Sequence, residues 1–229
     1  MAFSGSIEAS FPRRAGRGLT TRKKAARPLR DDARMSHRIA IIQGHPDAAG
    51  AHYGHALAEA YAQGALAAGH ALRRIEVAQI DFPWLRSKAE WEQGALPASL
   101  EAAQAAIRWA DHLVFFFPLW LGGMPALLKG FLEQVARPDF AITRVAKGSM
   151  PKKLLAGRSA RVVVTMGMPA FVYRWYFGAH SLKALERNIL GFCGVAPIRR
   201  TLIGLVEAMN DKTRTSWFEK LRTLGRRGA

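Results

Sequence analysis

Five consecutive apolar residues, Leu113-Val114-Phe115-Phe116-Phe117, end at Pro118, and this run limits the possible fold more than any other stretch of the chain. A strand with one wet face alternates apolar and polar residues, whereas an unbroken run of β-branched and aromatic side chains suits a strand covered on both faces. Two-sided cover comes from helices that cross between parallel strands. The surrounding sequence supplies such crossovers. Ile39-Ala40-Ile41-Ile42 reads as a first buried strand closed by Gly44-His45-Pro46-Asp47, and Tyr53, Leu57 and Tyr61 then recur at helical spacing until Gly69. Residues 71–78 read as a second strand. A polar excursion with Trp84, Trp91 and Pro97 leads to a helix predicted over 99–110, and after Pro118 a Gly122-Gly123 turn precedes a helix with Pro125 in its first turn. A longer connection carrying Pro138, Phe140, Gly148 and Pro151 follows. Residues 160–165 then form a strand, 181–191 a helix, 197–203 a last strand, and a helix closes the chain. The expectation is an α/β fold with a doubly wound, five-stranded parallel sheet.

The 229 residues suffice for one core, and no apolar run approaches the roughly 18 residues of a membrane span, so a soluble chain is expected. Cys193 is the sole cysteine, which rules out an internal disulfide and a Cys-based zinc site and is compatible with a reducing cytoplasm. The net charge of +17 suggests nucleic acid or an acidic membrane surface only if it lies on the folded part. Residues 1–36 hold nine Lys and Arg against Glu8, Asp31 and Asp32, a net of +6. They read as a disordered basic extension before a domain over 37–225. With no apolar h-region the extension is not a secretory signal, and Met35, just before the first strand, suggests a start assigned too early. Nucleic acid is therefore not expected as a partner.

Ligands of doubly wound sheets bind at the carboxyl ends of the strands, where the strand order reverses. Three loops qualify. Residues 44–52 offer Gly44 for close approach and His45 and His52 as donors ahead of a helix, which suits a phosphate; no Walker or dinucleotide glycine fingerprint is present. Residues 118–124 (Pro118-Leu119-Trp120-Leu121-Gly122-Gly123-Met124) combine apolar bulk with backbone amides, which suits either a flat, partly polar ring or a packed core turn. Residues 165–173 supply Thr165 and Gly167, with Tyr173 and His180 beyond, as donors toward negative charge.

Taken in order, His45-Pro46 and Tyr53, then Phe117-Pro118-Leu119-Trp120 with Met124-Pro125-Ala126-Leu127-Leu128-Lys129-Gly130-Phe131, then Thr165-Met166-Gly167 and Gly191-Phe192-Cys193-Gly194, resemble the NAD(P)H:quinone reductase family. That flavodoxin-like group includes ancillary subunits of potassium efflux systems. The resemblance covers roughly residues 38–205 and implies a homodimer with a flavin, FAD or alternatively FMN, at the interface. It also implies ping-pong chemistry, in which NAD(P)H reduces the flavin, leaves, and is replaced by a small quinone-like acceptor. By the same resemblance His45, Gly50, Ala51 and His52 would hold flavin phosphate, and Pro118, Leu119, Trp120, Leu121 and Gly122 would line the ring system. Thr165, Met166, Gly167 and Met168 would bond its pyrimidine edge, and Tyr173 and His180 would stand where charge develops on the reduced ring. A flavin-binding regulatory subunit of a membrane transporter is the alternative. The chain departs from the family at Gly50, where a hydroxyl residue is usual, at His52, where Asn is usual, and at Met166 and Met168, which flank Gly167 in place of a Thr-Gly-Gly run.

Other features have plainer readings. His52 and His55 with Asp47 could ligate a metal, but two His without a third committed ligand more often form a solvated face, and no metal is expected. Cys193 between Gly191 and Gly194 reads as packed core. The aromatic run at 173–177 suits a flavin or quinone pocket or a dimer contact better than base stacking. Lys220, Arg222, Arg226 and Arg227 read as a solvated, fraying tail.

Overall fold

The computed structural model describes residues 36–144 and 149–229. The expected basic extension therefore lies outside the described residues except for Ser36, as does Gly148 of the long connection.

One five-stranded sheet contains β1 (Arg38–Gln43), β2 (Ala71–Glu76), β3 (His112–Pro118), β4 (Ser159–Thr165) and β5 (Ile198–Ile203). The strands run in the order β2-β1-β3-β4-β5 and every pair is parallel. This is the order of a flavodoxin-like sheet, so the doubly wound α/β fold is as the sequence implied. The apolar run of β3 occupies the centre and serves both faces. Leu113, Phe115 and Phe117 join Ala40, Ile42, Val162 and Val164 in a core with α3 (Glu101–Trp109) and α4 (Ala126–Val135). Val114 and Phe116 join Ile39, Ile41 and Val163 against α1 (Tyr53–Ala67) and α8 (Asp211–Arg226). At about 1.5–3 kcal/mol for each large side chain buried, these two clusters outweigh the modest strand propensity of charged β2.

Some elements differ from expectation. The polar excursion contains α2 (Lys88–Gln93), whose start is capped by Ser87 Oγ accepting the Glu90 N–H at 3.0 Å. The helix over 181–191 runs as α6 (His180–Lys183), a π-helical stretch (Ala184–Leu190) and α7 (Gly191–Cys193), and it follows a short α5 (Ala170–Trp175). Pro125 caps α4 from outside its first turn. The basic C-terminal residues do not fray: α8 packs along α1, with Leu221 and Gly225 buried. Their contact is backbone to backbone, since a Cβ at Gly64 would stand 2.0 Å from the Arg222 carbonyl oxygen and one at Gly225 2.1 Å from that of Tyr61. At the far edge, His37 N–H donates to His70 Nδ1, His70 Nε2 lies 3.3 Å from the Arg226 carbonyl oxygen, and Gly228 packs on the His37 ring. Among the described residues no helix is long and apolar enough to cross a membrane.

His112 starts β3 as a buried imidazole, its Nδ1 2.7 Å from Ser159 Oγ. Burial, reinforced by Arg161, pushes its pKa down to about 4 from 6.5, so the fold prefers the neutral ring and the unfolded chain takes the proton first. Stability is therefore full above about pH 6.5 and declines by about 3 kcal/mol as pH falls through the window down to about 4. Urea unfolding of wild type and His112→Asn across that window checks this, the expected result being a visibly flatter slope in the variant.

Candidate functional site

The register aligns Gln43 with Phe116 and Pro118 with Thr165, so β1, β3 and β4 end side by side. The chain leaves β1 for α1 on one face and β3 for α4 on the other, which opens a crevice between the first two loops.

The first loop is anchored at its start. Gly44 N–H donates to the Phe116 carbonyl at 2.7 Å, and a Cβ there would stand 2.6 Å from Leu128 Cδ2 on α4. Gln43, buried, accepts the His45 N–H through Oε1 and donates to the Gly54 carbonyl through Nε2, so one amide spans the loop. The His45 ring stacks on His52 at 3.8 Å with planes 22° apart, and His55 meets the two rings edge-on at 5.1 and 5.5 Å. Asp47 accepts the Ala49 N–H at 2.9 Å and pairs with His52 Nε2 at 2.7 Å. The His52 bond, then the Ala49 amide, hold the Asp47 carboxyl below the usual carboxylate range. Burial first, and repulsion by His52 and His55 next, push His45 below the ordinary imidazole value. Two departures in the sequence are linked here, because a Cβ at Gly50 would stand 2.2 Å from His52 Nε2: the imidazole fills the space a side chain at 50 would need. Ala51 is exposed beside them. Stacked rings keep their nitrogens in parallel planes, and no group of three His, Cys, Asp or Glu able to hold a metal ion occurs among the described residues.

The second loop is a tight turn. Trp120 N–H donates to the Gly123 carbonyl and Gly123 N–H to the Trp120 carbonyl, both at 2.9 Å, with Leu121 at φ 46° and Gly122 at φ 77° between them. Left-handed backbone is rare for a leucine, and Leu121 adopts it fully exposed at the tip. Leu119 N–H donates to the Thr165 carbonyl at 2.7 Å, which ties this loop to the third. Pro118 is the last residue paired in β3, half-buried. Trp120 is about half exposed, its ring centre 6.2 Å from that of His45 in an edge-to-face arrangement, so the first two loops touch.

The third loop turns inward more than the sequence implied. Thr165 is buried, and the Met166 side chain lies in the core with its N–H on the Ile203 carbonyl and its carbonyl accepting from Val206. The open part is Gly167 and Met168, whose backbone N–H groups have no hydrogen-bond partner among the described residues, although the Met168 carbonyl accepts from Leu205 at 3.2 Å. Tyr173 is buried, donates to the Gly122 carbonyl at 3.4 Å, and has its phenol pushed up first by burial. His180 is exposed and folds over Gly178, where a Cβ would stand 2.6 Å from its Nε2. The structure thus brings Tyr173 to the second loop and leaves His180 at the rim.

Several contributors carried no readable signal. Gly204 abuts the third loop, a Cβ there standing 2.4 Å from the Ala170 nitrogen and 2.6 Å from the Met168 carbonyl oxygen, and the Glu207 carboxylate lies over Gly167. Both follow β5 and are distant in sequence from the loop they shape. His55 and Asp47 were visible only as metal candidates. A cavity of about 150 Å³ lined by Trp91, Lys129, Leu132 and Cys193, among others, shares no residue with the three loops. Burial raises the Cys193 thiol to about 11, as befits a packed core residue.

Residues 37–223 match the model of a family described as having a flavodoxin-like fold. An "uncharacterized NAD(P)H oxidoreductase" of Haemophilus influenzae is 28% identical over 127 residues, 55% of this chain and 62% of that protein, so the chain spans less than two thirds of that relative. An "FMN-dependent NADH:quinone oxidoreductase" of Cereibacter sphaeroides is 27% identical over 211 residues, 83% of this chain and 94% of its own. The crystal structure of Smu.1420 from Streptococcus mutans UA159 superposes with a TM-score of 0.69 at 27% identity, covering 82% of this chain and 98% of that one. With its strand order, its crevice and a match over most of its length, the chain belongs to the flavodoxin-like family.

Proposed function

We propose that this chain is a flavin-dependent NAD(P)H oxidoreductase that reduces a quinone-type acceptor by a ping-pong cycle. The observation that carries it is the meeting of three loops at the switch point, with imidazoles in the first, an exposed Trp120-Leu121-Gly122 turn in the second and, in the third, Gly167 and Met168 N–H groups without a partner among the described residues. This donor set fits a flavin, whose polar edge needs main-chain partners and whose ring needs an apolar wall. A bound flavin would supply the hydride chemistry. Trp120 and Leu121 would cover its ring, Gly167 and Met168 would orient its polar edge, and Tyr173 would hold the second loop in place through Gly122. The sequence resemblance put FAD first, but the Cereibacter relative's name favours FMN. A regulatory subunit of a transporter draws no support from the relatives.

A homodimer belongs to the proposal, because Leu121, Phe171, Trp175 and Tyr176 leave apolar surface exposed around the second and third loops. The single cysteine suits a cytoplasmic setting. The test is the spectrum and mass of the released cofactor. Protein loaded with FMN is expected to be yellow, to bleach with NADH or NADPH and to recover colour with a quinone. Protein that stays colourless after incubation with FMN or FAD would overturn the proposal.

A further inference from the structure

Positive charge is concentrated on one end of the fold. Residues 1–36 account for +6 of the net +17, which leaves +11 on the remainder, so most of the charge does lie on the folded part. Much of it gathers at the amino ends of the strands, opposite the three loops. Arg38 opens β1, Arg158 directly precedes β4 and Arg199 is the second residue of β5. Arg108 in the last turn of α3, with Arg226 and Arg227 at the end of α8, joins them, because both helices run back along the sheet. Asp111 and Asp139 share this end, the latter next to the Phe140 ring that Arg108 covers, but Arg38 and Arg144 already pair with them, each at 2.6 Å. None of Arg108, Arg158, Arg199, Arg226 and Arg227 pairs with a carboxylate among the described residues, and all but the half-buried Arg158 are exposed. Local structure accounts for some of them. A cation suits a helix C-terminus, as at Arg108 and Arg226, and Arg158 donates to the Ile107 and Arg108 carbonyls. Arg199 and Arg227 make no side-chain hydrogen bond among the described residues. The chain also enters the fold at this end, through His37 and Arg38, behind the residues that carry the other +6.

We propose that this end of the fold seats on an anionic lipid bilayer, with the crevice turned away into water. Two features favour a bilayer over a nucleic acid. The cations come from the starts of β1, β4 and β5 and the ends of α3 and α8, hence from both faces of the sheet, and a plane can meet them together. A reader of a duplex instead lays one helix or ribbon in a groove. The helix N-termini that commonly hold nucleic-acid phosphates, those of α1, α4 and α8, stand at the crevice end. The exposed aromatics Phe171, Trp175 and Tyr176 also lie at the crevice end, so the seat is made by charge and not by insertion.

The test is co-sedimentation of the whole protein with vesicles of phosphatidylcholine, with or without phosphatidylserine. Binding is expected only with phosphatidylserine and should vanish near about 0.5 M salt, where screening is nearly complete. A cation near a charged leaflet is worth about fivefold in affinity, so Arg199→Gln with Arg227→Gln should weaken binding about 25-fold. Arg199→Lys with Arg227→Lys keeps the charge and should bind as the wild type does. Arg174→Gln with Lys212→Gln removes the same charge beside the crevice and should stay within about twofold. Thermal unfolding checks that each pair folds, and the lysine pair carries the argument if the glutamine pair does not. Brominated acyl chains, which quench tryptophans that enter a bilayer, should leave the fluorescence unchanged. Duplex DNA of random sequence at equal phosphate concentration should not displace the protein from the vesicles. Binding to phosphatidylcholine alone, equal losses in the two glutamine pairs, a lysine pair that binds about 25-fold more weakly, strong quenching or displacement by the duplex would each overturn the proposal.

Discussion

Replacing Gly225 by valine is expected to lower the unfolding free energy by about 4 kcal/mol, at the upper end for overpacking, and to drop Tm by roughly 10 °C. The new Cβ would stand 2.1 Å from the Tyr61 carbonyl oxygen and 2.9 Å from the Ala65 nitrogen, and both are helix backbone atoms that cannot rotate aside. Relief requires α8 to move off α1, which uncovers Leu57, Tyr61 and Leu221, all fully buried now. Gly64→Val should act alike from the other side, since its Cβ would meet the Arg222 carbonyl oxygen at 2.0 Å. Gly54→Ala is the matched control. Nothing lies within 4 Å of a Cβ there, so the better helix former should leave stability unchanged or raise it by up to about 1 kcal/mol. Thermal and urea unfolding of the three variants decide the matter; equal stabilities at Gly54→Ala and Gly225→Val would show that the helices do not meet as described.

Gly204→Ala is expected to act on turnover. Its Cβ would press on the Ala170 nitrogen and the Met168 carbonyl oxygen, at 2.4 and 2.6 Å, and the third loop can yield more easily than the sheet below it. A misplacement near 1 Å lowers turnover by about 100-fold when a site depends on orientation. The expected result is therefore kcat/KM down about 100-fold with NADH and a quinone, for a stability loss of about 2 kcal/mol. Assays on FMN-loaded protein alongside thermal unfolding separate the two effects. Turnover that stays within about twofold of wild type would mean that the third loop does not orient the cofactor.

The fold was legible because its strongest signals are local. The run Leu113 to Phe117 announces two-sided burial, and Tyr53, Leu57 and Tyr61 mark a helix face by spacing alone. The short helices were harder. The Ser87 to Glu90 cap of α2 is present in the sequence, but no apolar stripe follows it, and periodicity does not separate a π-helical stretch from the α-helix expected over 181–191. At the site, the loops could be placed because loops at strand ends follow from the fold. Their internal geometry could not: the stack of His45 on His52 depends on Gly50 lacking a side chain, and the third loop is shaped by Gly204, beyond β4, α5 and the helices that follow. Met166 looked like a pocket residue by family position, and only the pairing of its backbone with Ile203 and Val206 shows that it turns inward.

The contact of His37, His70, Arg226 and Gly228 brings the two ends of the folded unit together at the side of the sheet opposite the three loops. A linker of a few residues could join them, so the chain could be reopened at a surface turn elsewhere without breaking the sheet order.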